Sequence, residues 1–128
     1  MAFPALAAAA SLAAAVSPIA GDLDGDGLAD RAWLREAGSA YEIVVERGAG
    51  GVVVVHTTPD ARNLYLGVAD PGTYRTWCGK RMNRRSAPAC TEPSVTLAGP
   101  TLAFGTEEAS QAVAVWDGQR FRVVWLSD

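Results

Sequence analysis

Asp22, Asp24, Asp26 and Asp30 fall within nine residues of one another, interleaved with Gly21, Gly25 and Gly27. Carboxylates spaced this closely repel one another unless something positive lies among them. Oxygen-rich sites suit hard divalent cations, and Ca²⁺ takes roughly six to eight oxygens at about 2.3–2.6 Å in a flexible shell. Asp side chains two residues apart converge only if the backbone curls around the ion, and Gly27 permits that curl. On this geometry Asp22, Asp24 and Asp26 supply side-chain oxygens, Leu28 its backbone carbonyl, and Asp30 closes the shell. Mg²⁺ demands a tighter octahedron and retains water, so Ca²⁺ is the better fit. A solvated acidic turn is the alternative.

The loop is not an EF-hand. That motif needs a bidentate Glu at its twelfth position, and counting from Asp22 the position holds Trp33. The pattern D-x-D-x-D-G-x-x-D, carried by Asp22, Asp24, Asp26, Gly27 and Asp30 and followed at once by the strand-like Arg31-Ala32-Trp33-Leu34, resembles the calcium loop of FG-GAP/VCBS-type repeats, which occur in integrin propellers and in many exported bacterial proteins. More loosely, Trp116-Asp117-Gly118-Gln119-Arg120-Phe121 looks like strand ends in small exported single-copy proteins of this kind. Propellers stack several repeats, and this chain has one such loop, so the ligand-binding roles of integrins do not carry over. The resemblance implies a calcium-stabilised β-hairpin with an affinity in the weak extracellular range, roughly 10⁻⁴ to 10⁻³ M.

A second chemical signal is cationic. No acidic residue lies between Asp70 and Glu92, whereas Arg75, Lys80, Arg81, Arg84 and Arg85 all do. Tyr74 and Trp77 offer flat faces beside them. Such a segment could bind an anionic envelope polymer or an acidic protein surface, or simply be a solvated loop. Cys78 and Cys90 bracket most of it and are the only cysteines. An isolated pair in a small exported domain is expected to form a disulfide, here closing loop 78–90 with a stabilisation of about 3 kcal/mol.

Catalytic constellations are weak by comparison. The single histidine, His56, follows a valine run, and no nucleophile motif surrounds Ser39, Ser86, Ser94 or Ser110. Glu107 and Glu108 are adjacent, so on a strand they would point to opposite faces and make poor partners for glycoside hydrolysis. The expectation is a non-enzyme.

The elements that must position these groups read as strands. Arg31–Arg35, Tyr41–Arg47 and Val52–Thr57 alternate or are β-branched, with Gly48–Gly51 a flexible connector between the last two. Asn63–Ala69, Ser94–Ala98, Thr101–Phe104, Gln111–Trp116 and Gln119–Leu126 follow, punctuated by turn chemistry at Asp70-Pro71-Gly72, Gly99-Pro100 and Asp117-Gly118. Asp117-Gly118 favours a two-residue type I′ hairpin. On the last strand Phe121, Val123 and Trp125 share a face, expected to be core, opposite Arg120, Arg122, Val124 and Leu126. No helical periodicity is sustained. The expected fold is all-β, a small antiparallel sandwich or partly open barrel of about seven to eight short strands.

Composition sets the context. The chain has 128 residues and a net charge of −3, so nothing global points to nucleic acid. Residues 1–20 are apolar, uncharged and rich in Ala, and Ala13-Ala14-Ala15 matches an export-signal cleavage site, with a second possible cut after Ala20. Alanine is too weakly apolar, and Pro4 and Pro18 too disruptive, for a stable membrane span. The organisation read from sequence is an export signal over 1–20 and one β domain over 21–128, periplasmic or secreted and monomeric. Its expected function is a calcium-binding domain with a non-catalytic binding role in the cell envelope. The alternatives are a calcium-dependent enzyme acting on an envelope polymer, or a protein inhibitor using the Arg-rich loop.

Overall fold

The computed structural model describes residues 16–82, 89–107 and 109–127. Among the described residues, ten strands and one short helix are arranged in three layers. The first sheet is β1 (Ile19–Gly21), β2 (Asp30–Ala37), β3 (Ala40–Glu46) and β4 (Val52–Thr58), in that order. The second runs β10 (Phe121–Ser127), β9 (Ser110–Trp116), β8 (Thr101–Thr106), β5 (Leu64–Ala69). A two-stranded ribbon, β6 (Gly72–Arg75) with β7 (Ser94–Leu97), forms the third layer. All pairings are antiparallel, and neither sheet closes into a barrel. The sandwich expectation holds. The strands beyond the expected number are β1 and β6, of three and four residues, too short to show a period in the sequence.

Alternation along the strands explains how three layers are held. The main core lies between the two sheets and is built from Ala32, Leu34, Ile43 and Val45 on one side and Leu102, Phe104, Ala112 and Ala114 on the other. Intervening residues of the second sheet, Ala103, Val113, Val124 and Leu126, face outward and pack beneath Val95 and Leu97 of the ribbon. The second sheet is therefore buried on both faces, which is why β8 and β9 read as nearly unbroken apolar runs.

This arrangement corrects the expected core face of β10. Phe121 and Val123 do pack into the main core, but Trp125 is 38% exposed, because β10 is an edge strand and this ring sits at the margin beside His56 and Phe104. Val124 and Leu126, expected outside, are buried by the ribbon. Although Gly99-Pro100 separates them so closely, β7 and β8 do not pair; the chain crosses there from the ribbon into the second sheet. At Asp117-Gly118 the hairpin forms, but it closes one residue later than a type I′ turn on those two residues. The Asp117 amide donates to the Arg120 carbonyl at 3.0 Å, and Asp117 Oδ1 accepts from the Gln119 and Arg120 amides, both at 2.9 Å.

Cys78 and Cys90 are disulfide-bonded. Within the segment expected to be irregular, Trp77–Lys80 form one helical turn, α1, capped by Thr76, whose hydroxyl accepts from the Gly79 amide at 3.1 Å and donates to the Glu92 carbonyl at 2.6 Å. The segment expected to be an export signal, 1–20, lies outside the described residues up to position 15. Ile19 and Ala20, in contrast, belong to β1 and pair with Ala32 and Arg31. Of the two possible cuts, the one after Ala15 leaves β1 whole. Among the described residues no helix is long and apolar enough to cross a membrane.

Candidate metal centre

The loop joining β1 to β2 carries the four aspartates, and the two strands fix its ends: Gly21 pairs with Asp30 as the last rung of their ladder. The chain must therefore leave and return within one strand spacing, and it does so by wrapping around its own carboxylates. Asp22 Oδ1 accepts from the Gly25 amide at 2.8 Å and the Asp26 amide at 3.2 Å, and Oδ2 accepts from the Gly27 amide at 2.9 Å. Asp24 Oδ1 accepts from the Asp26 amide at 3.2 Å, and Asp26 Oδ1 from the Leu28 amide at 2.9 Å. The curl requires positive φ at Gly25 (78°) and Gly27 (86°), a region that side-chain-bearing residues seldom adopt.

Asp30 anchors the loop from below. It is 2% exposed; Oδ2 accepts from the Leu23 amide at 2.7 Å and Oδ1 from the Gly48 amide at 2.7 Å. Leu23 in turn is buried in the main core, so one carboxylate joins loop, hairpin tip and core. The result is that one carboxylate oxygen from each of Asp22, Asp24, Asp26 and Asp30 lies within 4.8 Å of every other.

This cluster could hold a metal ion. Its donors are all oxygen, the set preferred by hard cations. An ionised carboxylate offers about four lone-pair sites, and the amide bonds to Asp22 and Asp30 leave acceptor capacity on both. Leu28 could contribute only its backbone carbonyl to any such site, since its hydrocarbon side chain has no ligating atom. The electrostatics separate the four. At Asp24, burial raises the carboxyl pKa, but hydrogen bonds from Arg47 and Asp26 and the Arg47 charge outweigh it and leave the group below its ordinary value. At Asp26 the Leu28 amide lowers the pKa, yet partial desolvation, the side-chain hydrogen bond with Asp24 and the neighbouring charges of Asp24 and Asp30 prevail and leave it raised.

Two participants are not among the residues picked out from sequence. Arg47 Nε donates to Asp24 Oδ2 at 2.8 Å, and its guanidinium lies 4.0 Å over the Trp116 ring. Gly48, placed in a flexible connector, is instead pressed against the loop: a Cβ there would collide with the Ala29 carbonyl and the Leu28 Cβ. The signal was available. Ala37 pairs with Ala40 across the β2–β3 turn, and counting back along that hairpin sets Arg47 opposite Asp30 and Gly48 opposite Ala29.

The cationic segment is less of an open array than its composition implies. Arg75 Nη2 donates to the Gly79 carbonyl at 2.6 Å, Lys80 Nζ donates to the Leu126 carbonyl at 2.7 Å, and Arg81 lies 5.4 Å over the Trp77 ring. These contacts tie α1 to its surroundings. Arg84 and Arg85 lie outside the described residues. His56 is half-buried against Phe104 and Trp125, with ring centroids at 5.0 and 5.8 Å, and desolvation lowers its pKa.

A cleft of about 440 Å³ adjoins the aspartate loop; its lining includes Asp30, Arg31, Glu46 and Arg47. Compared with models of protein families, with curated proteins and with solved structures, the chain matches none.

Proposed function

We propose that this chain is an exported domain whose Asp22–Asp30 loop binds Ca²⁺ as a structural clamp, and that the domain serves a non-catalytic binding role at the cell envelope. The observation that carries the reading is the convergence of four aspartate oxygens within 4.8 Å on a loop closed by a strand pair. The D-x-D-x-D-G-x-x-D spacing shared with FG-GAP/VCBS loops supports calcium over magnesium. The disulfide supports an oxidising compartment.

Two observations support a non-catalytic role. His56 has aromatic neighbours, an environment that favours a neutral packing residue over a proton shuttle. The cleft of about 440 Å³ beside the loop is bordered by Asp30 and Arg47, which are engaged in holding the loop in shape. The contact surface for an anionic polymer or acidic protein is assigned to the basic segment around Arg81, Arg84 and Arg85, although Arg75 and Lys80 serve the fold as well.

Calorimetry on the disulfide-bonded protein tests the metal reading. Ca²⁺ should bind with a Kd on the order of 10⁻⁴ to 10⁻³ M and raise the melting temperature, and chelation should reverse the rise. Absence of both heat and thermal shift at millimolar Ca²⁺ would refute it.

A further inference from the structure

Three of the four clustered carboxylates accept hydrogen bonds from backbone amides alone. Asp24 is different: its carboxylate is also paired with the Arg47 guanidinium at 2.8 Å. Arg47 is itself held from the opposite sheet. Trp116 belongs to β9, its ring supports the guanidinium at 4.0 Å, and Phe121 packs edge-on against that ring at 5.0 Å. Asp24 and Trp116 also border one groove of about 320 Å³, between the aspartate loop and the β7–β8 crossing. Among the described residues, Arg47 is the one cationic side chain paired with the cluster.

We infer that Arg47 is a resident counter-cation of the aspartate loop, positioned by Trp116, and that it sets the affinity of the loop for a divalent cation. This rests on the metal reading above and concerns the control of that same site. The reasoning is electrostatic. Four ionised aspartates carry a formal charge of −4, which a guanidinium reduces to −3. An arriving Ca²⁺ meets a positive charge already bonded to one of its ligands and must share Asp24 with it or displace it. Arginine stays charged at any working pH, so the competition is constant. Stacking on an aromatic face restrains the guanidinium, so Trp116 keeps it at the loop. In the absence of metal the same contact relieves carboxylate repulsion and keeps the loop folded, at the expense of binding strength.

The test titrates the disulfide-bonded chain with CaCl₂ by calorimetry at fixed ionic strength, and follows urea unfolding of the metal-free proteins. Arg47→Gln should bind Ca²⁺ on the order of tenfold more tightly, the size expected for removing one like charge a few ångströms from the ion, and its metal-free form should unfold at lower urea. Arg47→Lys keeps the charge and should stay within about threefold of wild type. Trp116→Leu should tighten binding in the same direction by a smaller factor, and should add nothing once Arg47→Gln is present. Equal or weaker binding by Arg47→Gln, with wild type binding normally, overturns the inference and leaves the metal reading standing. Additive effects of the two substitutions overturn the role of Trp116. If Arg47→Gln does not fold, Trp116→Leu decides: unchanged affinity overturns the inference. Binding by neither wild type nor any variant overturns the metal reading and this one together.

Discussion

Asp26 and Asp30 belong to one cluster but have different duties, and burial distinguishes them. Asp30 is 2% exposed and satisfies the Leu23 and Gly48 amides, both at 2.7 Å. Removing it strands the buried Leu23 amide, at about 1–3 kcal/mol, and takes the partner from the part-buried Gly48 amide at a smaller cost. Asp26 is exposed, and its carboxylate accepts only from the Leu28 amide two residues away. We therefore expect Asp30→Ala to destabilise the metal-free protein by about 2–4 kcal/mol, while Asp26→Asn leaves metal-free stability within about 0.5 kcal/mol and weakens Ca²⁺ binding. Urea unfolding in chelator, paired with calorimetry, separates the two. Equal metal-free stabilities would mean that the buried hydrogen bonds of Asp30 contribute little and that it acts only as a ligand.

At the scale of elements, the β3–β4 tip is the part of the site that local reading missed. Gly48-Ala49-Gly50-Gly51 has the composition of a flexible linker, and composition carries no information about what lies opposite. The tip is in fact a tight turn, with Arg47 and Gly51 bonded through the Arg47 amide at 2.9 Å, and Gly48 sits where only a hydrogen fits. Gly48→Ala should cost about 1–3 kcal/mol, because its neighbours, the Ala29 carbonyl and the Leu28 Cβ, are fixed by the backbone and cannot swing aside. It should also weaken Ca²⁺ binding by lifting the tip away from Asp30. A fall in thermal stability with unaltered Ca²⁺ affinity would show that the loop keeps its shape without the tip.

Other elements were legible for identifiable reasons. The aspartate spacing, the cysteine pair, the alternating or β-branched runs of β2 and β3 and the nearly unbroken apolar runs of β8 and β9 each leave their mark within a few residues. The pairing of the ribbon does not: Ser94–Ala98 is legible as a strand, but its partner β6 has only four residues and lies across a long intervening segment. Without that partner the sequence shows nothing to cover the second face of β10, which is why Val124 and Leu126 are buried where the alternation predicts exposure.

Across the whole molecule, His56 marks where the two main sheets meet. It lies on β4 of the first sheet and contacts Phe104 and Trp125 on β8 and β10 of the second. It is also the only histidine, so it is the one side chain whose ordinary pKa places its charge change in the mildly acidic range. Burial disfavours the imidazolium and lowers the folded-state pKa from the ordinary 6.5. The sign follows from proton uptake. Below about pH 6.5 the unfolded chain binds a proton that the folded chain resists, so stability rises with pH in that range. The contribution is fully present above pH 6.5 and is lost as pH falls from there toward the lower folded value, where the slope flattens. Metal-free protein should accordingly show a urea midpoint that is level at about pH 7 and declines toward pH 5.5. His56→Leu should abolish that decline, since an apolar side chain fits among Phe104, Trp125 and the valines of β4 without titrating. A decline of the same size in the variant would assign the acid sensitivity to groups other than His56, and would show that the junction of the two sheets does not set the response of the sandwich to acid.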